Sequence, residues 1–361
     1  MVKWTQNEKI RERGGIFVKN AKPAAQISSG EHHYSFGYYA ENKWLDENRI
    51  VLIRGNTPQI CTDPATRAEA ELVVYDILSD SVTLIAEGIA SFTDYAVQGG
   101  AVLYVKNSVL FEYDADTCQE KALFSAKNIG SPHVGAHGRY VSVFSCSEES
   151  CSFFRVDRET ESCELMLDTV FDAPYPYANH GMISPTDKDI IFFAHEGDTR
   201  HIPDRLWIYD AKARKARNIA PQGVTSDGLA ADCFGHEAWA PDGRGLYFVK
   251  YRESLTTGGI CYADINGTPP ELLYTGYDYW HVGASSSGKY LTADTRGIGG
   301  ERSGVVLIDL TSGEELLVDT PSVTFRHPCH PHPQLSPEDT RLAYHYKNEH
   351  GNTAVKICTL E

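Results

Sequence analysis

Short apolar runs alternate with polar turns along most of the chain, at nearly regular intervals. One unit begins at the turn 240–243 (Ala-Pro-Asp-Gly) and continues with the run 245–249 (Gly-Leu-Tyr-Phe-Val). In most units a second apolar run, such as 305–309, is followed by another polar turn and a short third run. Runs of about four to eight β-branched and aromatic residues, bounded by turn residues, are typical of β-strands. The pattern therefore predicts an all-β protein.

The turns occur seven times, and this sets the number of repeats. Their first residues lie 38 to 56 residues apart along the chain. Periods of about 40 to 50 residues made of short strands are typical of propeller blades. We therefore expect a seven-bladed β-propeller that forms a single domain over residues 1–361. The seven turns begin at Leu45, Val97, Gly135, Ser184, Ala240, Ser285 and Ser336.

The two ends of the chain are expected to close the ring together. Two runs, 341–346 and 353–360, follow the last turn, so the C-terminal blade lacks an outer strand. The N-terminal segment 15–19 (Gly-Ile-Phe-Val-Lys) can supply it. Pairing an N-terminal strand with the C-terminal blade removes an exposed sheet edge.

Composition and charge restrict the classes of function. The 361 residues are 42% hydrophobic, which allows a sizeable core, and their formal net charge of −16 argues against nucleic-acid binding. No apolar leader and no run of about 18 apolar residues is present, so we expect a cytoplasmic protein without a membrane anchor. Nine cysteines without a Cys-x-x-Cys pair favour reduced thiols over a disulfide framework. The oligomeric state is left open.

Histidines recur at one register of the repeat, which makes them candidates for a shared site. Each lies four residues before a turn and is therefore placed on the innermost strand of its blade, at the central channel. These residues are His180, His236, His281 and His332. His330 should face the same side as His332 because side chains alternate along a strand, and His327 can join them if the chain bends at Pro328.

Clustered imidazoles from two neighbouring blades suggest a metal site. The candidate ligands are His281, His327, His330 and His332. Imidazole suits Zn, Mn, Fe, Ni or Cu, and the residues alone do not choose among them. The alternative is a loop stiffened by prolines whose histidines are solvated.

Several motifs resemble those of the oligogalacturonate lyases. They are 184–188 (Ser-Pro-Thr-Asp-Lys), 192–197 (Phe-Phe-Ala-His-Glu-Gly), 204–207 (Asp-Arg-Leu-Trp), 235–239 (Gly-His-Glu-Ala-Trp), 330–333 (His-Pro-His-Pro) and, upstream, 32–36 (His-His-Tyr-Ser-Phe). The likeness runs in order over most of the chain and is densest between His180 and Pro333. It implies a cytoplasmic seven-bladed propeller that splits short pectin fragments by β-elimination with Mn²⁺.

The resemblance also implies residue roles. The family's metal ligands fall on His281, His330 and His332, its catalytic base falls on His236, and its active-site arginine falls on Arg205. One position departs from the pattern, because His327 stands where the family has a glutamine ligand. Histidine also binds metals, so a divalent ion is still expected, with Zn²⁺ as an alternative to Mn²⁺.

The chemistry of uronide elimination agrees with these residue types. The C5 proton lies next to a carboxylate whose charge disfavours a carbanion, and a metal ion on that carboxylate would neutralise it. A neutral imidazole, with an ordinary pKa of about 6.5, then suits His236 as the base. Arg205 would pair with a carboxylate or steady the leaving oxygen at C4. The alternative for Arg205 is a surface residue after a turn.

Other residues have weaker assignments. Candidates for contact with an anionic oligosaccharide substrate are His180, His195, His32 and His33, each with a structural role as the alternative. Tyr279 and Trp280, next to His281, could stack on a sugar ring, although aromatic residues in blades more often belong to the core. Two other functions stay open, a lyase for a different uronic-acid oligosaccharide and a non-catalytic propeller that binds partners. The aligned histidines favour the enzyme.

Overall fold

The strands of the protein form seven four-stranded antiparallel sheets that follow one another around a ring. The computed structural model describes residues 20–37, 42–57, 69–90, 95–147, 150–169, 171–298, 302–323 and 329–361. Within these ranges every helical or extended element is a strand, and no helix is long and apolar enough to span a membrane. Each sheet is one blade, so the predicted seven-bladed propeller is confirmed.

Blades 1 to 6 each take four consecutive strands, ordered from the channel outward. Blade 1 contains β2 (His33–Ser35), β3 (Arg49–Gly55), β4 (Glu69–Asp76) and β5 (Ser81–Ala90). Blade 2 contains β6 (Tyr95–Gln98), β7 (Ala101–Lys106), β8 (Val109–Asp114) and β9 (Gln119–Ser125). Blade 3 contains β10 (Ile129–Gly135), β11 (Tyr140–Cys146), β12 (Cys151–Asp157) and β13 (Ser162–Thr169). Blade 4 contains β14 (Tyr177–Ile183), β15 (Ile190–Glu196), β16 (Leu206–Asp210) and β17 (Lys215–Asn218). Blade 5 contains β18 (Phe234–Trp239), β19 (Gly245–Lys250), β20 (Gly259–Asp264) and β21 (Glu271–Tyr274). Blade 6 contains β22 (Tyr279–Ala284), β23 (Tyr290–Ile298), β24 (Arg302–Asp309) and β25 (Glu315–Asp319). Blade 7 contains β26 (Gln334–Leu335), β27 (Arg341–Lys347), β28 (Thr353–Leu360) and β1 (Ala21–Ile27).

The hydrophobic core lies between the blades and explains the continuous apolar runs. In β15, Phe192 packs into a cluster with Phe248 of blade 5, whereas the next residue, Phe193, packs with Phe153 of blade 3. Successive side chains of a strand point to opposite faces, and both faces of a blade are covered by neighbours. Both phenylalanines are fully buried, so replacing either with alanine should cost about 3–5 kcal/mol.

An N-terminal strand closes the ring, as expected, but the strand is β1. It pairs antiparallel with β28, with Ala21 opposite Leu360 and Ile27 opposite Val355. The segment 15–19, which the sequence suggested for this role, lies outside the described residues. The pairing leaves blade 7 with four strands, like the other six blades.

Two cysteines are bonded to each other, so the expectation of reduced thiols is wrong for this pair. Cys146 ends β11 and Cys151 begins β12, and the antiparallel register places them directly opposite each other. Their Cα atoms are 4.2 Å apart, and they form a disulfide. The hairpin register, which the spacing alone did not reveal, creates this proximity. Cys118 and Cys163 are exposed thiols.

Candidate active site

The innermost strands carry the aligned histidines into the channel. His180 lies in β14, His236 in β18 and His281 in β22, while His332 lies two residues before β26. All four side chains are buried. The offset of four residues from each turn therefore predicted correctly that His180, His236 and His281 lie on innermost strands, whereas His332 lies just before one.

Local backbone distortions present these histidines to the channel. His180, His236 and His332 have positive φ angles of 52°, 53° and 43°. In β14 and β18 the register shifts at this point, which marks a β-bulge. A bulge sets two residues of one strand against one of its partner and re-aims side chains, and it is common beside active sites. A left-handed conformation costs a non-glycine residue about 1 kcal/mol or more, so the surrounding blades must stabilise it.

Four imidazoles meet in the channel and form what we call the imidazole cluster: His236, His281, His330 and His332. The ring centroids of His281 and His332 are 3.9 Å apart and stacked, and His236 lies 4.3 Å from His281. His330 lies 5.1 Å from His281 and 5.8 Å from His332. The structure thus brings His236 into the same group as three of the four candidate ligands.

Burial sets the protonation state of the imidazole cluster. Loss of solvation lowers the pKa of His236 and of His332 well below the ordinary value, and the neighbouring imidazoles lower both further. Both rings are therefore neutral at pH 7. A neutral imidazole has a lone pair for a proton or a metal ion.

Asp294 orients two members of the imidazole cluster. Both of its carboxylate oxygens lie 2.9 Å from Nδ1 of His281, and the backbone N–H groups of His281 and His332 each donate to it at 3.0 Å. A carboxylate only accepts, so Nδ1 of His281 is assigned the proton and Nε2 the lone pair. Burial raises the pKa of Asp294 to about 6, against the opposing effects of His330 and the two backbone donors.

The donor set fits a divalent transition metal. Neutral imidazoles suit such ions, and a carboxylate behind the ring of His281 is the usual partner of a metal-binding histidine. Among the described residues, however, no three histidine, cysteine or carboxylate side chains already stand in ligand geometry. His327, the fourth candidate ligand, lies outside the described residues.

Arg205 is buried and paired, so the surface alternative does not apply to it. Its Nε donates to Glu237 at 2.6 Å, and Nη1 lies 3.2 Å from both carboxylate oxygens of Glu196. Burial opposes the charged form, yet the two carboxylates outweigh it and raise the pKa of Arg205 well above its ordinary value. The arginine stays charged in the channel wall.

The remaining candidate residues lie in different surroundings. His180 contacts Glu237 through Nδ1 at 3.1 Å. His195 has Nδ1 2.8 Å from Asp204 and Nε2 2.8 Å from the carbonyl of Tyr175, so substrate contact would require one of these bonds to break. The roles of these histidines remain predictions.

His32 and His33 lie in blade 1. Nδ1 of His33 accepts a hydrogen bond from the backbone of Thr353 at 3.0 Å, which ties blade 1 to blade 7. His32 is partly exposed and lies 3.0 Å from the side-chain oxygen of Asn56. Their contact with substrate stays a prediction.

Trp280 borders the imidazole cluster, with its ring centroid 6.0 Å from that of His330. The guanidinium of Arg296 lies 4.4 Å from the indole centroid and is itself paired with Glu253 and Asp278. This cation–π contact packs Arg296 against the indole, and stacking of Trp280 on a sugar ring stays a prediction.

Sequence reasoning missed four side chains of the site: Glu237, Asp294, His133 and His345. Glu237 and Asp294 had a readable signal, since each is the only acidic residue of its strand. His345 had none: its Nδ1 bonds the carbonyl of His330 at 2.8 Å, its Nε2 accepts from the backbone of Phe36 at 3.0 Å, and burial lowers its pKa to about 4.

A cavity of about 280 Å³ enters the channel from the tight turns. Gln98, Pro185 and Ser286 line its outer part, and His180 and Glu237 line it as well. His133 also faces this cavity, and burial lowers its pKa to about 3. The cavity therefore reaches His180 and the carboxylate of Glu237, next to the imidazole cluster.

These features define a seven-bladed propeller with a buried histidine site in its channel. No family model matches the chain. It is 23% identical over 214 residues to the oligogalacturonate lyase of Dickeya dadantii (strain 3937), covering 54% of this chain and 52% of that enzyme. It is 22% identical over 289 residues to the oligogalacturonide lyase of Pectobacterium atrosepticum, covering 68% of this chain and 71% of that enzyme.

A solved structure supports the same relationship in fold. The oligogalacturonate lyase in complex with manganese superposes with a TM-score of 0.74 at 16% identity, over 95% of this chain and 96% of the other. The resemblance to the oligogalacturonate lyases is thus confirmed in sequence and in fold. The match spans about half the length of the Dickeya enzyme and about 70% of the Pectobacterium enzyme.

Proposed function

We propose that this protein is a lyase that cleaves short oligogalacturonides by β-elimination and releases an unsaturated uronide. The imidazole cluster carries the proposal, because four buried histidines lie together in a chain that resembles enzymes of this activity. A propeller that only binds partners on its face has no need of buried imidazoles with lowered pKa values. The binding-module alternative is therefore not favoured.

His236 is the proposed base. Its lowered pKa keeps the ring neutral, so it can take the proton from C5 of a uronate. The electron pair left at C5 forms the C4–C5 double bond, and the glycosidic oxygen leaves from C4. The ring of His236 lies 4.3 Å from that of His281, one of the proposed ligands.

His281, His330 and His332, with His327, would hold a divalent ion, Mn²⁺ or alternatively Zn²⁺. When bound, such an ion would neutralise the uronate carboxylate and make the C5 proton more acidic. Asp294 supports this role from the protein side, since it fixes the ring of His281 through Nδ1. The backbone of His330 is held in turn by His345.

Local charge explains why an arginine alone would not attract the substrate. Arg205 contributes one positive charge, whereas its partners Glu196 and Glu237 contribute two negative charges. The group is thus net negative, in a protein of net charge −16. A uronate would be repelled unless a cation bound nearby, so we assign Arg205 to orienting the substrate.

The test is the ultraviolet absorbance of the conjugated product, followed across a panel of short uronides with and without Mn²⁺. Di- and trigalacturonate should give an increase that depends on Mn²⁺. An increase only with a uronide of another sugar would support the alternative lyase. No increase with any member of the panel would exclude both lyases and leave the binding module.

A further inference from the structure

Glu237 joins two candidate functional residues that come from another blade. Its carboxylate lies 3.1 Å from Nδ1 of His180 and 2.6 Å from Nε of Arg205. Glu237 belongs to blade 5, whereas His180 and the start of β16, next to Arg205, belong to blade 4. The side chain of Glu237 is fully buried, so these contacts are shielded from water.

The bulge at His236 makes this arrangement possible. In a regular strand His236 and Glu237 would point to opposite faces. The left-handed φ of 53° at His236 and the register shift between Gly235 and Ala238 change that alternation. As a result, His236 contacts His281 within the imidazole cluster, while the adjacent Glu237 contacts His180.

The chemistry of a carboxylate fixes the direction of both hydrogen bonds. An ionised carboxylate has acceptors only. Burial raises the pKa of Glu237, but Arg205 and His180 outweigh burial and hold it below its ordinary value, so the group stays ionised. Nδ1 of His180 and Nε of Arg205 must therefore donate. In the neutral ring of His180 the lone pair is then on Nε2.

We propose that Glu237 is a positioning residue that fixes His180 as its Nδ1–H tautomer and holds Arg205 through Nε, so that both act on the uronide as one unit. The role of the unit in elimination rests on the proposed function above. His180 then offers Nε2 to the sugar as an acceptor. The contacts to Glu237 and Glu196 use Nε and Nη1 of Arg205, and Nη2 takes part in neither.

A purely structural ion pair is the competing explanation. Buried ion pairs occur without any catalytic role, and breaking one destabilises a fold. Two measurements separate the explanations, one of them independent of activity.

The first measurement is the tautomer of His180, read by ¹⁵N NMR of the histidine-labelled full chain. Zn²⁺ is used for loading because it is diamagnetic, and the His180→Gln variant identifies the His180 signals. The wild type should show a protonated Nδ1, and Glu237→Gln should change this pattern. A protonated Nε2 in the wild type, or an unchanged pattern in Glu237→Gln, would overturn the proposal whether or not the protein is a lyase.

The second measurement is a double-mutant cycle on kcat with trigalacturonate, using Glu237→Gln and Arg205→Lys. Misplaced catalytic groups cost on the order of 10²-fold, so Glu237→Gln alone should lower kcat by about that factor with a smaller change in KM. In the Arg205→Lys background the same change should alter kcat by no more than about twofold, because coupled residues are not additive. Glu196→Gln, which removes the more exposed carboxylate, should have a smaller effect than Glu237→Gln.

The outcomes are distinct. Multiplicative effects of Glu237→Gln and Arg205→Lys, or a loss of kcat that only follows the loss of thermal stability, would overturn the positioning role. A wild-type protein that eliminates no uronide would contradict the proposed function instead. In that case the NMR measurement of the His180 tautomer alone would test whether Glu237 fixes the ring of His180.

Discussion

Nδ1 of His281 lies 2.9 Å from both carboxylate oxygens of Asp294, a residue of the neighbouring strand in the same blade. The same carboxylate accepts the backbone N–H of His332. The buried carboxylate of Asp294 therefore holds two members of the imidazole cluster, His281 through its ring and His332 through its backbone. This arrangement assigns the lone pair of His281 to Nε2, the proposed ligand atom.

Asp294→Asn should weaken metal binding while the fold remains. Loss of a carboxylate that orients a ligand commonly costs about 10- to 100-fold in metal affinity. Titration calorimetry with Mn²⁺ measures this effect, and thermal unfolding of the metal-free protein monitors the fold. Asp264→Asn, at a turn outside the cluster, is the matched control. Equal Mn²⁺ affinity in Asp294→Asn and the wild type would contradict the orienting role.

Acid should destabilise the protein below pH 6.5 through His133. Burial, with help from His180 and Lys43, lowers the pKa of His133 from 6.5 to about 3. Above pH 6.5 His133 is neutral in both the folded and the unfolded protein. Below pH 6.5 it becomes protonated in the unfolded chain but stays neutral in the folded protein until the pH approaches about 3. Stability from this residue is thus present above pH 6.5 and is lost as the pH falls, by ~1.4 kcal/mol per pH unit.

Urea unfolding between about pH 7 and about pH 4.5, which extends about two pH units below the ordinary pKa of histidine, checks this dependence. His133→Gln should show a shallower fall in the free energy of unfolding than the wild type. The exposed His137→Gln is the control. Identical pH slopes in the wild type and His133→Gln would show that another group is responsible.

The disulfide between Cys146 and Cys151 should be detectable in the purified protein. Alkylation without reduction should leave both cysteines unmodified, and mass spectrometry of the peptide that contains them reads this directly. Because the bond closes a short loop with a sequence separation of 5, its loss in Cys146→Ser should cost only about 2 kcal/mol in urea unfolding. Cys163→Ser, at an exposed thiol, is the control. Complete alkylation of both cysteines would contradict the bond.

The fold was predictable because its signals are local. A tight turn four residues after each of His180, His236 and His281 depends on nearby residues alone, and it placed these histidines on the innermost strands. The seven turns likewise gave the number of blades. The closing strand was harder, because nothing within β1 marks β28 as its partner across the whole chain.

The inner organisation of the site depends on contacts that no local pattern contains. Glu237 meets His180 across 57 residues of sequence, and His345 meets Phe36 across 309. His236 and Glu237 contact different neighbours because of the bulge in β18, and that bulge is defined by the pairing of β18 with β19. The sequence therefore predicted which histidines gather in the channel, whereas only the structure reveals which histidine each carboxylate contacts.

The most direct measurement compares His236→Ala with His332→Ala for bound Mn²⁺ and for elimination of trigalacturonate. His236→Ala should keep its metal and fold but lose about 10²- to 10⁴-fold in rate, as expected for a missing general base. His332→Ala should lose both metal and activity, since it removes a proposed ligand. Elemental analysis after Mn²⁺ loading and the ultraviolet absorbance of the product give the two readings. Near-wild-type turnover in His236→Ala, or equal metal content in His332→Ala and the wild type, would contradict the account.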